Sequence, residues 1–110
     1  MARGTAVIIG AGSGLSASLA RKLAARGHAV DLGARNPSKL DDLVAEPGAR
    51  TVAVEGSDPA AMDAFFAEID GRIDVAIYNP SARSRGPVAE LDPEEVRRAI
   101  EVTAFGSFLL

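Results

Sequence analysis

The stretch that most constrains this chain runs from Val7 to Ala25, VIIGAGSGLSASLARKLAA, where an apolar run stops at a glycine cluster and restarts with helical spacing. Ala6 to Ile9 reads as a buried strand ending at Gly10, and Leu15, Leu19 and Leu23 then recur every four residues, the spacing of one buried helical stripe. The glycines therefore occupy a strand-to-helix turn. There glycine permits positive φ and lets a ligand approach the backbone with no Cβ in the way. The free N–H groups and positive dipole end of the following helix favour a pyrophosphate. A glycine-rich turn that binds nothing is the alternative, and the flanking strand-and-helix pattern weighs against it.

Spacing narrows the kind of cradle. The pattern G-x-G-x-x-G fails, because counting from Gly10 and Gly12 puts Leu15 where the third glycine belongs. The pattern G-x-x-x-G-x-G fits better, with Gly10 and Gly14 in its first two places, Ser16 in the third, and Gly12 and Ser13 in the variable part. In this respect the stretch resembles the short-chain dehydrogenase/reductase family. The resemblance implies an α/β, Rossmann-like, doubly wound parallel sheet and a dinucleotide cofactor, with Gly10, Gly12, Ser13, Gly14 and Leu15 around its pyrophosphate. Ser16 departs from the pattern. Its hydroxymethyl group stands where the helix packs closest to the sheet and is expected to shift that approach slightly.

Composition removes several other classes. The 110 residues, 47% of them hydrophobic and none cysteine, suffice for one domain with a core that owes nothing to disulfides. The Met1-Ala2-Arg3 lead has no apolar export segment, so the expected location is cytoplasmic. A net charge of -3 from mixed signs, with no basic block, leaves no footprint for nucleic acid or an anionic membrane, and no apolar stretch approaches a membrane span.

Along the chain, the first helix ends at Gly27 with a left-handed cap, and His28, just past it, reads as a solvated turn residue with no function. Ala29 to Gly33 is the second strand, with Asp31 its one polar residue. In dinucleotide folds an acidic side chain near this strand end accepts hydrogen bonds from the adenosine ribose, whereas a nearby arginine suits a 2′-phosphate. The resemblance puts Ala34 in the acidic position and Arg35 next to it, which favours NADP over NAD; a surface arginine without a specific contact is the alternative. Asn36 and Pro37 start a connecting helix with Leu40, Leu43 and Val44 inward and Pro47-Gly48 at its end.

Thr51 to Val54 is a β-branched strand leading to Glu55 and Gly56. The resemblance places Glu55 where an acidic residue, usually aspartate, faces the adenine amino group; a solvated strand-end carboxylate is the alternative. Asp58-Pro59 repeats the cap-plus-proline signal, and Met62, Phe65, Phe66 and Ile69 form a core stripe. Ile73 to Tyr78 is the fourth strand, followed by Asn79-Pro80-Ser81 where the family usually reads N-N-A-G. Only Asn79 matches. Its amide is expected to tie neighbouring backbone groups together and so position a wall of the cofactor cleft, while Pro80 and Ser81 change the loop; a plain turn residue is the alternative. Arg83 and Arg85 lie in the loop that follows. Leu91, Asp92, Pro93 and Glu95 form a complete helix start, and that helix runs on through Phe105, Phe108 and Leu109 with no cap in sight. Thr103 stands where the family carries an active-site asparagine, and one hydroxyl is not expected to replace both the donor and the acceptor of an amide.

The succession βαβαβαβα gives the first half of a doubly wound domain, residues 1–110, with strand order 3-2-1-4 and right-handed crossovers. The family's catalytic serine and Tyr-x-x-x-Lys pair find no counterpart, since the single tyrosine, Tyr78, is followed four residues on by Ala82. No catalytic residue and no metal ligand is therefore assigned. The resemblance implies the cofactor-binding portion of an NADP(H)-dependent oxidoreductase for a carbonyl or alcohol substrate, with the catalytic residues beyond Leu110. Its partners would be the dinucleotide, a second copy of the chain through the last helix, and a small substrate only in the full-length protein. Two other classes stay open: a non-catalytic nucleotide-binding module or partner-dependent half-domain, and a methyltransferase, whose glycine loop G-A-G-S-G also resembles but whose ribose-binding acid Ala34-Arg35 lacks.

Overall fold

The structure, a computed structural model, describes residues 3–11, 14–37 and 49–110. Four strands, β1 (Thr5–Ile9), β2 (Ala29–Ala34), β3 (Ala49–Ala53) and β4 (Ile73–Tyr78), form one parallel sheet in the order β3-β2-β1-β4. That is the expected order. β3 begins two residues before the expected strand and stops at Ala53, although the Val54 N–H still donates to the Ala34 carbonyl at 3.0 Å. The connecting helix expected around Leu40, Leu43, Val44, Pro47 and Gly48 lies outside the described residues.

β1 is buried along its whole length, so its apolar residues supply both faces of the sheet. On one face Ile8 packs with Val30, Leu32 and Ala34 against Ala17 and Ala20 of α1 (Leu15–Ala25). On the other, Val7, Ile9 and Val54 pack against Met62 and Phe65 of α2 (Pro59–Ala67), with Leu109 joining from the last helix. α2 starts where the sequence places it, because the Asp58 carboxylate accepts from the N–H groups of Ala60 at 3.0 Å and Ala61 at 3.4 Å. The last helix, α3 (Pro93–Ile100), starts on Asp92, which accepts from the Glu94 N–H at 3.0 Å. It continues through a π-helical turn at Glu101–Phe105 into a final turn at Gly106–Leu109. Between β2 and β3, Asp31 and Arg50 form a two-pronged ion pair at 3.0 and 3.2 Å, which accounts for the one carboxylate in a buried strand.

Two expectations are corrected. Leu15 does not belong to the buried stripe of α1: it is 67% exposed, while Ser16, Ala17 and Ala20 are buried and Leu19 and Leu23 are partly so. With roughly 100° per residue, the centre of Ser16, Ala17 and Ala20 lies about 150° round the helix from Leu15. Small residues at that centre let α1 sit close to the sheet. His28 is not solvated. It is buried, with Nδ1 2.9 Å from the carbonyl of Gly4, just before β1, and 3.6 Å from the carboxylate of Asp74 in β4.

Candidate functional site

The carboxyl ends of the strands open onto a cavity of about 460 Å³ lined in part by Gly10, Arg35, Glu55, Gly56 and Asn79. A neighbouring hollow of about 390 Å³ shares Arg35 and Glu55. Both lie in the size range of small-molecule sites and at the sheet edge where doubly wound folds take ligands. Five of the candidate residues thus meet at one place. Gly14 and Leu15 stand at the start of α1 outside the cavity lining, and Gly12 and Ser13 lie outside the described residues.

The glycines serve distinct purposes. Gly10 has φ 83°, and a Cβ there would lie 2.5 Å from the Pro80 nitrogen and 2.6 Å from its Cδ, so backbone conformation and packing both demand glycine. Pro80, a departure from the family's pattern, is therefore packed directly on the first glycine of the cradle. Gly14 has φ -93° and, among the described residues, nothing within 4 Å of where its Cβ would be. No packing among the described residues excludes a side chain at Gly14. What it leaves is open space beside the start of an eleven-residue helix that has no side-chain cap and no acidic residue in its first turn. That arrangement fits an anionic ligand. At Gly56 a Cβ would come within 3.1 Å of Ile9 Cγ2 and Tyr78 Cε2, so the floor of the cavity is tightly packed.

Of the charged groups, Arg35 is exposed at the cavity rim and makes no ion pair among the described residues. Glu55 accepts from the Ser57 hydroxyl at 3.0 Å and meets Arg98 of α3 at 3.5 Å. Its carboxylate is shared with the last helix rather than simply solvated. Asn79 is held twice: its N–H donates to the Ile9 carbonyl at 2.9 Å, and its Nδ2 donates to Ser16 Oγ at 3.0 Å. Its amide thus ties to a side chain of α1, where ties to neighbouring backbone groups were expected. Tyr78 donates its hydroxyl to the Val102 carbonyl in the π-helical turn and packs against Gly106, fixing the last helix beside the cavity. Burial, with the Glu55 carboxylate nearby, pushes the Tyr78 phenol above its ordinary range.

Thr103 ties the π-helical turn to the loop after β4. Its hydroxyl lies 3.3 Å from both the carbonyl and the N–H of Ala82, donating to the first and accepting from the second. Sequence reasoning missed Ser16 and Val102 as parts of the site. At Ser16 the motif spacing signals only a slightly shifted helix approach, and Val102 owes its place to a π turn that no local pattern announces.

Among the described residues no helix is long and apolar enough to cross a membrane, and no group of three or more histidine, cysteine or acidic residues could hold a metal.

With this geometry in place, comparison with known proteins gives a consistent result. The family model described as short chain dehydrogenase matches residues 4–110. The cis-4-hydroxycyclohexanecarboxylate dehydrogenase of Sinomonas cyclohexanicum is 37% identical over 110 residues, covering 92% of this chain and 44% of that protein. A short-chain dehydrogenase structure from Streptomyces avermitilis superposes with a TM-score of 0.89 at 30% identity, covering 100% of this chain and 42% of that one. A metagenomic short-chain oxidoreductase in complex with NADP does so with a TM-score of 0.87 at 33% identity, covering 100% and 54%. The chain spans between 33% and 44% of the length of five curated relatives it matches. The fold is Rossmann-like, and the chain belongs to the short-chain dehydrogenase family of NAD(P)-binding oxidoreductases.

Proposed function

We propose that these residues form the cofactor-binding part of an NADP(H)-dependent oxidoreductase that interconverts a carbonyl and an alcohol. Arg35 carries the preference for NADP. It stands on the rim of both hollows, follows Ala34 at the end of β2, and has no carboxylate paired to it among the described residues. A fork-shaped guanidinium in that state suits a 2′-phosphate, and the ribose-binding acid that would oppose the phosphate is missing. The Glu55 charge nearby is already shared with Arg98. The 33%-identical metagenomic oxidoreductase in complex with NADP supports the same choice.

In this reading Gly10, Gly12, Ser13, Gly14 and Leu15 receive the pyrophosphate, Glu55 and Gly56 border the adenine, and Asn79 forms the wall toward the nicotinamide half. The bound cofactor supplies or accepts the hydride, and the chain's own residues bind and orient it. Self-association through the last helix belongs to the same proposal and is supported by Ile100, Phe105 and Phe108, which are 60%, 42% and 80% exposed. So does a cytoplasmic location. Titration of the full-length protein with NADPH and NADH tests the cofactor claim: NADPH is expected to bind more tightly, and equal affinities would contradict it.

A further inference from the structure

We propose that Ser16 is a positioning residue that fixes which way the Asn79 amide faces, turning Oδ1 toward the cavity as an acceptor for a hydroxyl of the bound nucleotide. The proposal rests on the dinucleotide reading of the cavity. Ser16 is 2% exposed, and a buried hydroxyl has a single proton to give. Ser16 Oγ accepts from Asn79 Nδ2 at 3.0 Å, and among the described residues the Gly10 carbonyl, 3.5 Å away, is the acceptor that its own proton faces. The Asn79 backbone is held independently by the Ile9 carbonyl at 2.9 Å. With backbone and Nδ2 both fixed, Oδ1 is the remaining polar atom of the side chain. Among the described residues it has no protein partner, and Asn79 lines the cavity. Glycine at position 16, as the motif spacing allows, would remove the one group among the described residues that distinguishes the two ends of the amide. Ser16 and Asn79 therefore act as one unit that joins the cradle to the end of β4 across 63 residues of chain.

The test measures dissociation constants for NADPH and NADH, with melting temperatures, on the full-length protein and its Ser16→Ala, Asn79→Ala and doubly substituted forms. Loss of one neutral hydrogen bond to the ligand corresponds to roughly three- to tenfold weaker binding of both dinucleotides by Ser16→Ala. The double substitution is expected to bind no more weakly than Asn79→Ala alone, because Ser16 acts through Asn79. Ser16→Gly replaces Ser16→Ala should the latter misfold. Unchanged affinity in the Ser16 variant, even with a lowered melting temperature, would overturn the proposal and leave a purely structural serine; so would effects that multiply in the double variant. If the unsubstituted protein binds neither dinucleotide, the cofactor reading falls and this proposal with it. If it binds them and the Ser16 variant binds equally well, this proposal alone falls.

Discussion

At the amino ends of the strands, Asp74 accepts from the Gly4 N–H at 2.8 Å and from Arg72 at 2.5 Å, while buried His28 sits 2.9 Å from the Gly4 carbonyl. At the carboxyl ends, Arg35 has no ion pair and Asn79 Oδ1 has no protein partner among the described residues. The same sheet thus consumes its polar groups at one edge and holds them ready at the other. In a parallel sheet every strand begins at one edge and ends at the other, so this division separates residues that close the fold from residues available to a ligand. Glu55 is intermediate: it lies at the carboxyl edge, yet Ser57 and Arg98 partner it.

The largest expected effect tests whether the carboxyl edge is structural in its backbone even where its side chains are free. Gly10→Ala must place a Cβ against Pro80 at φ 83° and is expected to cost about 2–4 kcal/mol from backbone strain and overpacking, read by urea unfolding. A cost below about 0.5 kcal/mol would mean that the turn relaxes freely. Next, Tyr78→Phe removes the donor to the Val102 carbonyl and is expected to cost about 1 kcal/mol, seen as a lowered melting temperature. No change would show that the last helix is held beside the cavity by packing alone.

The smallest effect probes the amino edge through pH. Arg72, then the Gly4 N–H, hold the Asp74 carboxyl below the usual carboxylate range. A carboxyl whose folded pKa is lowered contributes stability above its unfolded pKa, and that contribution is lost as pH falls through the folded value. Stability is therefore expected to decline below about pH 4, and Asp74→Asn to flatten the decline. An unchanged slope in the variant would remove Asp74 from the closed edge.

What the sequence made legible is local. The caps at Asp58 and Asp92, the stripe of Met62 and Phe65, and the glycine turn after β1 each depend on neighbours within a few residues, and the strand order follows from their succession. What escaped is set by long-range approach. His28 meets Gly4, just before β1, and Asp74 of β4, and the inward face of α1 is chosen by how closely Ala17 and Ala20 meet the sheet rather than by the leucine spacing. Ser16 gained its partner from the far end of β4, and Thr103 met Ala82 through the π turn. In the site, the meeting of Gly10, Arg35, Glu55, Gly56 and Asn79 at one cavity could be anticipated from strand ends, but the partners that orient them could not.

The central claim is that a group left open at the carboxyl edge serves a ligand and not the fold. Arg35→Ala tests it most directly, with NADPH and NADH affinities and the melting temperature measured on the same sample. Loss of a charge-assisted pair at an exposed site is worth on the order of 1–3 kcal/mol, so NADPH binding should weaken roughly five- to 100-fold while NADH affinity and melting temperature stay put. Equal loss for both cofactors, or unchanged NADPH affinity, would contradict the account.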